Sequence, residues 1–112
     1  MKCLRLTHVN LRVEKLPEAV HFYTDVLGLE PVPRHDRGGK GAWFRLGTTE
    51  VHLAEDATPQ PRSKRHFAVE VADLAEARRE AEAKGIEIDQ EDAGRFWVRD
   101  PSGNRIEIVE RR

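Results

Sequence analysis

The chain has a single cysteine, Cys3, no apolar run approaching the roughly 18 residues of a membrane-crossing helix, and no excess of either charge. One thiol cannot close an internal disulfide, and Cys3 reads as a small packing residue in a first strand. No signal-peptide-like apolar segment is present either, so the expected setting is the reducing cytoplasm, away from membranes. Nineteen Lys and Arg against twenty Asp and Glu leave a net charge of −1. Bulk electrostatics therefore gives no reason to expect nucleic acid or an anionic lipid surface as partner. What remains is a 112-residue chain, one domain by size, long enough to hide about two thirds of its unfolded surface without a covalent staple.

What the sequence does contain is itself, twice. "HVNLRVEKL" at 8–16 and "HFAVEVADL" at 66–74 align without a gap at an offset of 58. In the first copy Pro17 suits an opening helical turn, Leu16, Ala19, Val20, Tyr23, Val26 and Leu27 form an apolar stripe, and Gly28 ends it. In the second, Asp73 and Glu76 make a capping-box-like start, Leu74, Ala77 and Ala81 carry a thinner stripe, and Gly85 is the stop. Each helix is followed by three strand-like pieces: 29–33, 42–46 and 50–55 in one copy, 86–88, 95–99 and 105–110 in the other. The expected architecture is α+β: two tandem βαβββ units, about 1–55 and 65–112, joined by a Pro-containing linker at 56–64. They should form a curled mixed sheet around a concave cavity with the helices outside. Each unit alone is small for a core, so the two are expected to pack together or against the same units of a second chain.

Strand alternation then sorts the side chains. Val9, Leu11 and Val13 share the face a helix would cover, leaving His8, Asn10 and Arg12 on the other; Phe67, Val69 and Val71 similarly oppose His66, Ala68 and Glu70. In the last strand of each copy Val51 and Leu53 oppose Glu50, His52 and Ala54, while Ile106 and Ile108 oppose Arg105 and Glu107. His8 and His66 are thus repeat-equivalent, as are His52 and Glu107. Polar residues on an uncovered strand face ordinarily meet water. Three imidazoles and a carboxylate at equivalent points of two units that curl toward a shared floor instead suit a divalent ion such as Zn, Ni, Co, Fe or Mn. Asn10, Arg12, Arg45, Glu70 and Arg105 share faces or neighbouring strands with these donors and either orient an anionic substrate or serve as surface charge. Trp43 and Trp97 either line the cavity or pack under a helix. His21 and His35 lack the symmetry and read as solvated. The loop "PRHDRGGKG" at 33–41 is a flexible connection or a flap over a ligand.

Two segments, "LTHVNLRVEKLPEAVHFYTDVLGLEPV" and "DPSGNRIEIVE", resemble the opening and closing segments of the vicinal oxygen chelate superfamily, which includes glyoxalase I, methylmalonyl-CoA epimerase, extradiol dioxygenases, and fosfomycin and bleomycin resistance proteins. The resemblance covers essentially the whole chain. It implies metal ligands on the first and last strand of each unit, where His8, His52, His66 and Glu107 stand. Glyoxalase I and its like typically hold glutamate at the position of His52. His8, His66 and Glu107 match the 2-His-1-carboxylate triad of extradiol dioxygenases, whose chains are usually about twice as long. Fosfomycin resistance enzymes use three ligands, and bleomycin-binding members use the same cup without metal. The expected function is a metal-dependent lyase or isomerase of glyoxalase type acting on a small α-oxygenated carbonyl substrate, with Glu107 as the catalytic group that gives up the metal to accept a proton. The alternatives are a metal-free drug- or metabolite-binding protein and an Fe(II) ring-cleaving dioxygenase. The resemblance also implies a homodimer, with a site built within one chain or across two.

Overall fold

A computed structural model describes residues 1–35 and 38–111. The chain divides into two compact units, Met1–Pro59 and Gln60–Arg112, with the division inside the expected linker. Each is a βαβββ unit with a four-stranded mixed sheet, so the α+β expectation holds.

In the first unit β1 (His8–Val13) leads into α1 (Leu16–His21) and then β2 (Glu30–Val32), β3 (Gly41–Leu46) and β4 (Thr49–Glu55), in the sheet order β1-β4-β3-β2. β1 and β4 run parallel and the other pairs are antiparallel. Glu55, at the end of β4, accepts the Leu16 N–H at 2.9 Å, placing a carboxylate where the start of α1 leaves donors unpaired. The expected single helix changes pitch at Phe22, where Phe22–Val26 forms a π-helical turn. Thr24 Oγ1 donates to the Val20 carbonyl at 2.8 Å, and the Leu27 N–H reaches back five residues to Phe22 O. Within that turn Tyr23 meets Phe22 edge-on and packs beside Phe44, and the three join Val13, Ala19, Leu29, Val51 and Leu53 in the core. Burial of each large apolar side chain of this kind contributes about 1.5–3 kcal/mol. Gly41 opens β3 against the Leu53 carbonyl, which any Cβ there would strike.

In the second unit β5 (His66–Val71) leads into α2 (Leu74–Ala83), β6 (Ile88–Asp92), β7 (Arg95–Arg99) and β8 (Arg105–Glu110), ordered β5-β8-β7-β6. Asp73 Oδ1 accepts the Glu76 N–H at 2.9 Å, the expected cap. At the other end Gly85, with φ of 67°, closes a Schellman motif in which Ile86 N–H bonds Ala81 O and Gly85 N–H bonds Glu82 O. This corrects the expected strand at 86–88. Ile86 has its N–H committed to the helix, so β6 begins at Ile88. Ile106, Ile108, Val98, Phe96, Val69 and Ala81 form the core.

Cys3 also departs from expectation: it lies before β1 and is exposed, in a leader that exposes Leu4 and Leu6 as well. Asp36 and Arg37 of the 33–41 loop lie outside the described residues; Arg34 in the same loop donates to the Gly38 and Gly39 carbonyls. No helix among the described residues is long and apolar enough to cross a membrane.

Candidate functional site

Glu107 sits at the middle of β8, paired with Ala68 of β5 on one side and Trp97 of β7 on the other. Strand alternation puts its side chain on the face away from Ile106 and Ile108, yet Arg105 and Glu107 are buried as well. Neighbours on their own sheet cover them. His66, at the start of β5, reaches across so that its Nε2 lies 2.9 Å from Glu107 Oε1. Its other nitrogen, Nδ1, lies 2.8 Å from the Lys64 carbonyl. A carbonyl only accepts, so Nδ1 carries hydrogen and donates there, which leaves Nε2, facing the carboxylate, as the nitrogen a metal would take. The Trp97 indole N–H points at the same nitrogen from 3.4 Å, and Arg95 Nη1 donates to the second Glu107 oxygen at 3.3 Å.

This pair fits a divalent ion. Donors bound to one metal at about 2.0–2.2 Å are separated by about 3 Å, the spacing seen here, and an Nδ1–H donated to a backbone carbonyl is the usual orienting contact of a metal-bound imidazole. His66 keeps 30% of its side chain exposed and Glu107 10%, so the pair can be reached from solvent.

The equivalent place in the first unit is built differently. Trp43 faces His52 across β3 and β4, and the two rings stack 4.0 Å apart with planes 5° from parallel. His8 lies on the other face of His52, 4.2 Å away at 17°, and His35 meets Trp43 edge-on. His52 Nε2 is 2.8 Å from Glu50 Oε1, and His8 Nδ1 is 3.0 Å from Thr7 Oγ1. His8 and His52 are therefore brought together as stacked rings. Within neither unit do three or more His, Cys, Asp or Glu side chains gather as a metal-holding group among the described residues.

Of the other expected site residues, Trp97 lines the His66–Glu107 pair and Trp43 joins the stack, which resolves the orientation of both indoles in favour of the polar face. Arg12 pairs with Asp56 at 2.6 Å and Arg45 with Glu30 at 3.2 Å. Asn10 and Glu70 are exposed. Arg105 is packed beneath Trp97, its guanidinium carbon 5.0 Å from the ring centroid. It occupies the place that Glu50 holds in the first unit: β8 pairs Arg105 with His66 as β4 pairs Glu50 with His8. The sequence reading missed Arg95, Glu50, the Lys64 carbonyl and Asp89. Arg95 was within reach of it, since alternation in β7 puts residues 95, 97 and 99 on one face.

The family model described as Glyoxalase/Bleomycin resistance protein/Dioxygenase superfamily matches residues 5–108. Among curated proteins, the chain is 29% identical to the glutathione transferase FosA of Serratia marcescens, over 92% of this chain and 78% of that protein. Among solved structures, a Bacillus anthracis protein described as glyoxalase-family is 30% identical, with a TM-score of 0.85 over 100% of this chain and 98% of that one. The fosfomycin resistance protein FosX of Listeria monocytogenes, in a variant complexed with Mn(II) and 1S,2S-dihydroxypropylphosphonic acid, shares the fold at 17% identity, with a TM-score of 0.85 over 97% of this chain and 93% of that one. With its family match running from the leader to the last strand, this chain belongs to the Glyoxalase/Bleomycin resistance protein/Dioxygenase superfamily.

Proposed function

We propose that the chain is a metal-dependent enzyme of glyoxalase type, a lyase or isomerase acting on a small α-oxygenated carbonyl compound. The observation that carries this reading is the His66–Glu107 pair: a ring nitrogen and a carboxylate oxygen 2.9 Å apart, the imidazole oriented through Nδ1 by a backbone carbonyl. In the first unit His8 is the other imidazole ligand candidate, and His52 is either a further donor or the neighbour that sets the plane of the His8 ring.

A divalent ion (Zn, Ni, Co, Fe or Mn) would supply Lewis acidity toward two adjacent substrate oxygens. His66 would hold the ion through Nε2, its ring fixed by the Lys64 carbonyl. Glu107 would hold the ion through Oε1 beside His66, and because Arg95 retains Oε2 the same carboxylate is positioned to accept a proton from the substrate without the side chain swinging away. Trp97 forms a wall beside both. Exposed Leu4 and Leu6, together with β1 and β5 each at the edge of its sheet, support a homodimer.

The likeness to FosA and FosX favours a second reading, chemistry on fosfomycin itself. The test is one experiment in two parts. Stripped protein is titrated with each of the five ions by calorimetry, and the loaded protein is then assayed against a panel of α-hydroxy and α-keto carbonyl compounds and against fosfomycin with and without glutathione. Metal uptake with turnover of the carbonyl panel is the expected result, and turnover of fosfomycin alone would replace the first reading with the second. Oxygen consumption with a catechol and Fe(II) would point to ring cleavage. Absence of metal uptake, with small-molecule binding indifferent to chelator, would overturn all enzyme readings in favour of a sequestering protein.

A further inference from the structure

Resting on that reading of His66, we infer that Arg105, held by Asp89, is a positioning residue that fixes the His66 imidazole rather than a contact for substrate. The sequence offers Arg105 as an anion-binding group on the open face, but its side chain is only 5% exposed and its donors are directed into the protein. Nε donates to Asp89 Oδ1 at 3.3 Å, Nη2 to Gln90 Oε1 at 2.7 Å, and Nη1 to the Lys64 carbonyl at 3.5 Å. The guanidinium plane is covered by Trp97.

The Lys64 carbonyl is the same one that receives His66 Nδ1–H, and a carbonyl oxygen has two lone pairs, so one atom serves both groups. Arg105 Nη1 lies 3.4 Å from His66 Nδ1. The guanidinium thus sits at the Nδ1 edge of the imidazole, away from the Nε2 that meets Glu107, and holds the acceptor that keeps hydrogen on Nδ1 and the ring in this orientation.

Asp89 explains how a buried cation is kept there. The β6–β7 register slips between Ile88 and Gln90, leaving Asp89 as an extra residue outside the ladder, and a bulge of this kind re-aims a side chain. Its carboxylate takes Arg105 on one oxygen and Arg99 on the other. Arg99 in turn donates to the Ser63 carbonyl at 2.8 Å, so both arginines tie the segment that enters β5 to the β6–β7–β8 ladder. A fork with several fixed donors is needed for this, and lysine, a point charge on a flexible stem, has no matching geometry.

The test compares Arg105→Met, Arg105→Lys and Asp89→Asn with the wild type. On metal-free protein at fixed pH, long-range proton–nitrogen NMR spectra of the imidazoles report which His66 nitrogen bears hydrogen. The expected wild-type pattern keeps hydrogen on Nδ1, and all three substitutions are expected to lower its occupancy there while urea unfolding shows the variants folded. Metal affinity, measured with Zn(II) by chelator competition, is expected to fall about 10–100-fold, the usual effect of losing an orienting partner behind a ligand. If Arg105→Met does not fold, Asp89→Asn, which removes one partner and keeps the guanidinium, decides by the same spectra. An unchanged His66 spectrum in a folded variant, or full rescue by lysine, would overturn the inference. If wild-type protein takes up no metal, the proposed function fails while the NMR comparison still judges the positioning role.

Discussion

Trp43 lies flat on His52, the two rings 4.0 Å apart and 5° from parallel, with His8 stacked on the far side. Stacked aromatic pairs contribute about 0.5–1.5 kcal/mol beyond the area they bury. A double-mutant cycle of Trp43→Ala and His52→Ala, followed by urea unfolding, is expected to show a coupling of that size. Additive effects would mean that the rings only fill space.

Metal binding that involves His66 and Glu107 must stabilise the fold wherever the unfolded chain binds the ion weakly. At a free ion concentration about a hundredfold above Kd, the gain is about 2.7 kcal/mol. The wild type is therefore expected to unfold at a higher temperature in the presence of the preferred ion. His66→Ala and Glu107→Gln are each expected to lose that increment relative to their own metal-free unfolding, a difference that calorimetry reads directly.

The turn before β8 depends on one carboxylate. Asp100 is 4% exposed and accepts the Ser102 and Asn104 N–H groups and the Asn104 side-chain amide, each at 2.9 Å. Asp100→Ala strands these donors, and each buried unsatisfied group costs about 1–3 kcal/mol. An equilibrium loss of about 2–4 kcal/mol is expected, because solvent can reach part of the turn. Asp100→Asn should recover some of it, since its amide oxygen still accepts.

Acid should weaken the second unit through Glu87. Its hydrogen bonds to Arg62, aided by the attraction of that guanidinium, hold its carboxyl below the ordinary value of 4.5. A carboxylate lowered on folding stabilises the native state above its unfolded value, and the contribution disappears as pH falls through the folded one. Glu87→Gln is therefore expected to make the stability profile less steep below about pH 4.5 and to reduce its salt dependence there. Asp56 acts in the same direction in the first unit, lowered first by the Thr58 backbone N–H and then by Arg12.

The repeat and its strands were legible because duplication places the same punctuation twice: a histidine opening a strand, a glycine ending a helix, an aromatic strand and a turn. Alternation alone put Glu107 and His66 on one face, and the structure brings those two within hydrogen-bonding distance. It could not orient Trp43 or Trp97, since the register of a hairpin is set by its turn and a slip of one residue exchanges the faces. Nor could it find the Asp89 bulge, where two arginines from β7 and β8 share one carboxylate, a relation between strands that no local pattern records. The π-helical turn was hidden similarly: Val20, Tyr23 and Val26 fit an ordinary stripe, and only the Thr24 bond to Val20 O discloses the change of pitch.

The exchange of Glu50 for Arg105 at matching points of the two halves has a genetic consequence. With one half stacking its last-strand histidine between an indole and a second imidazole, and the other setting a guanidinium behind its first-strand histidine, the copies are no longer spare parts for each other. Recombination that restored a chain of two identical halves would duplicate either the aromatic column or the arginine scaffold and forfeit the other, so the asymmetry should be inherited as a unit.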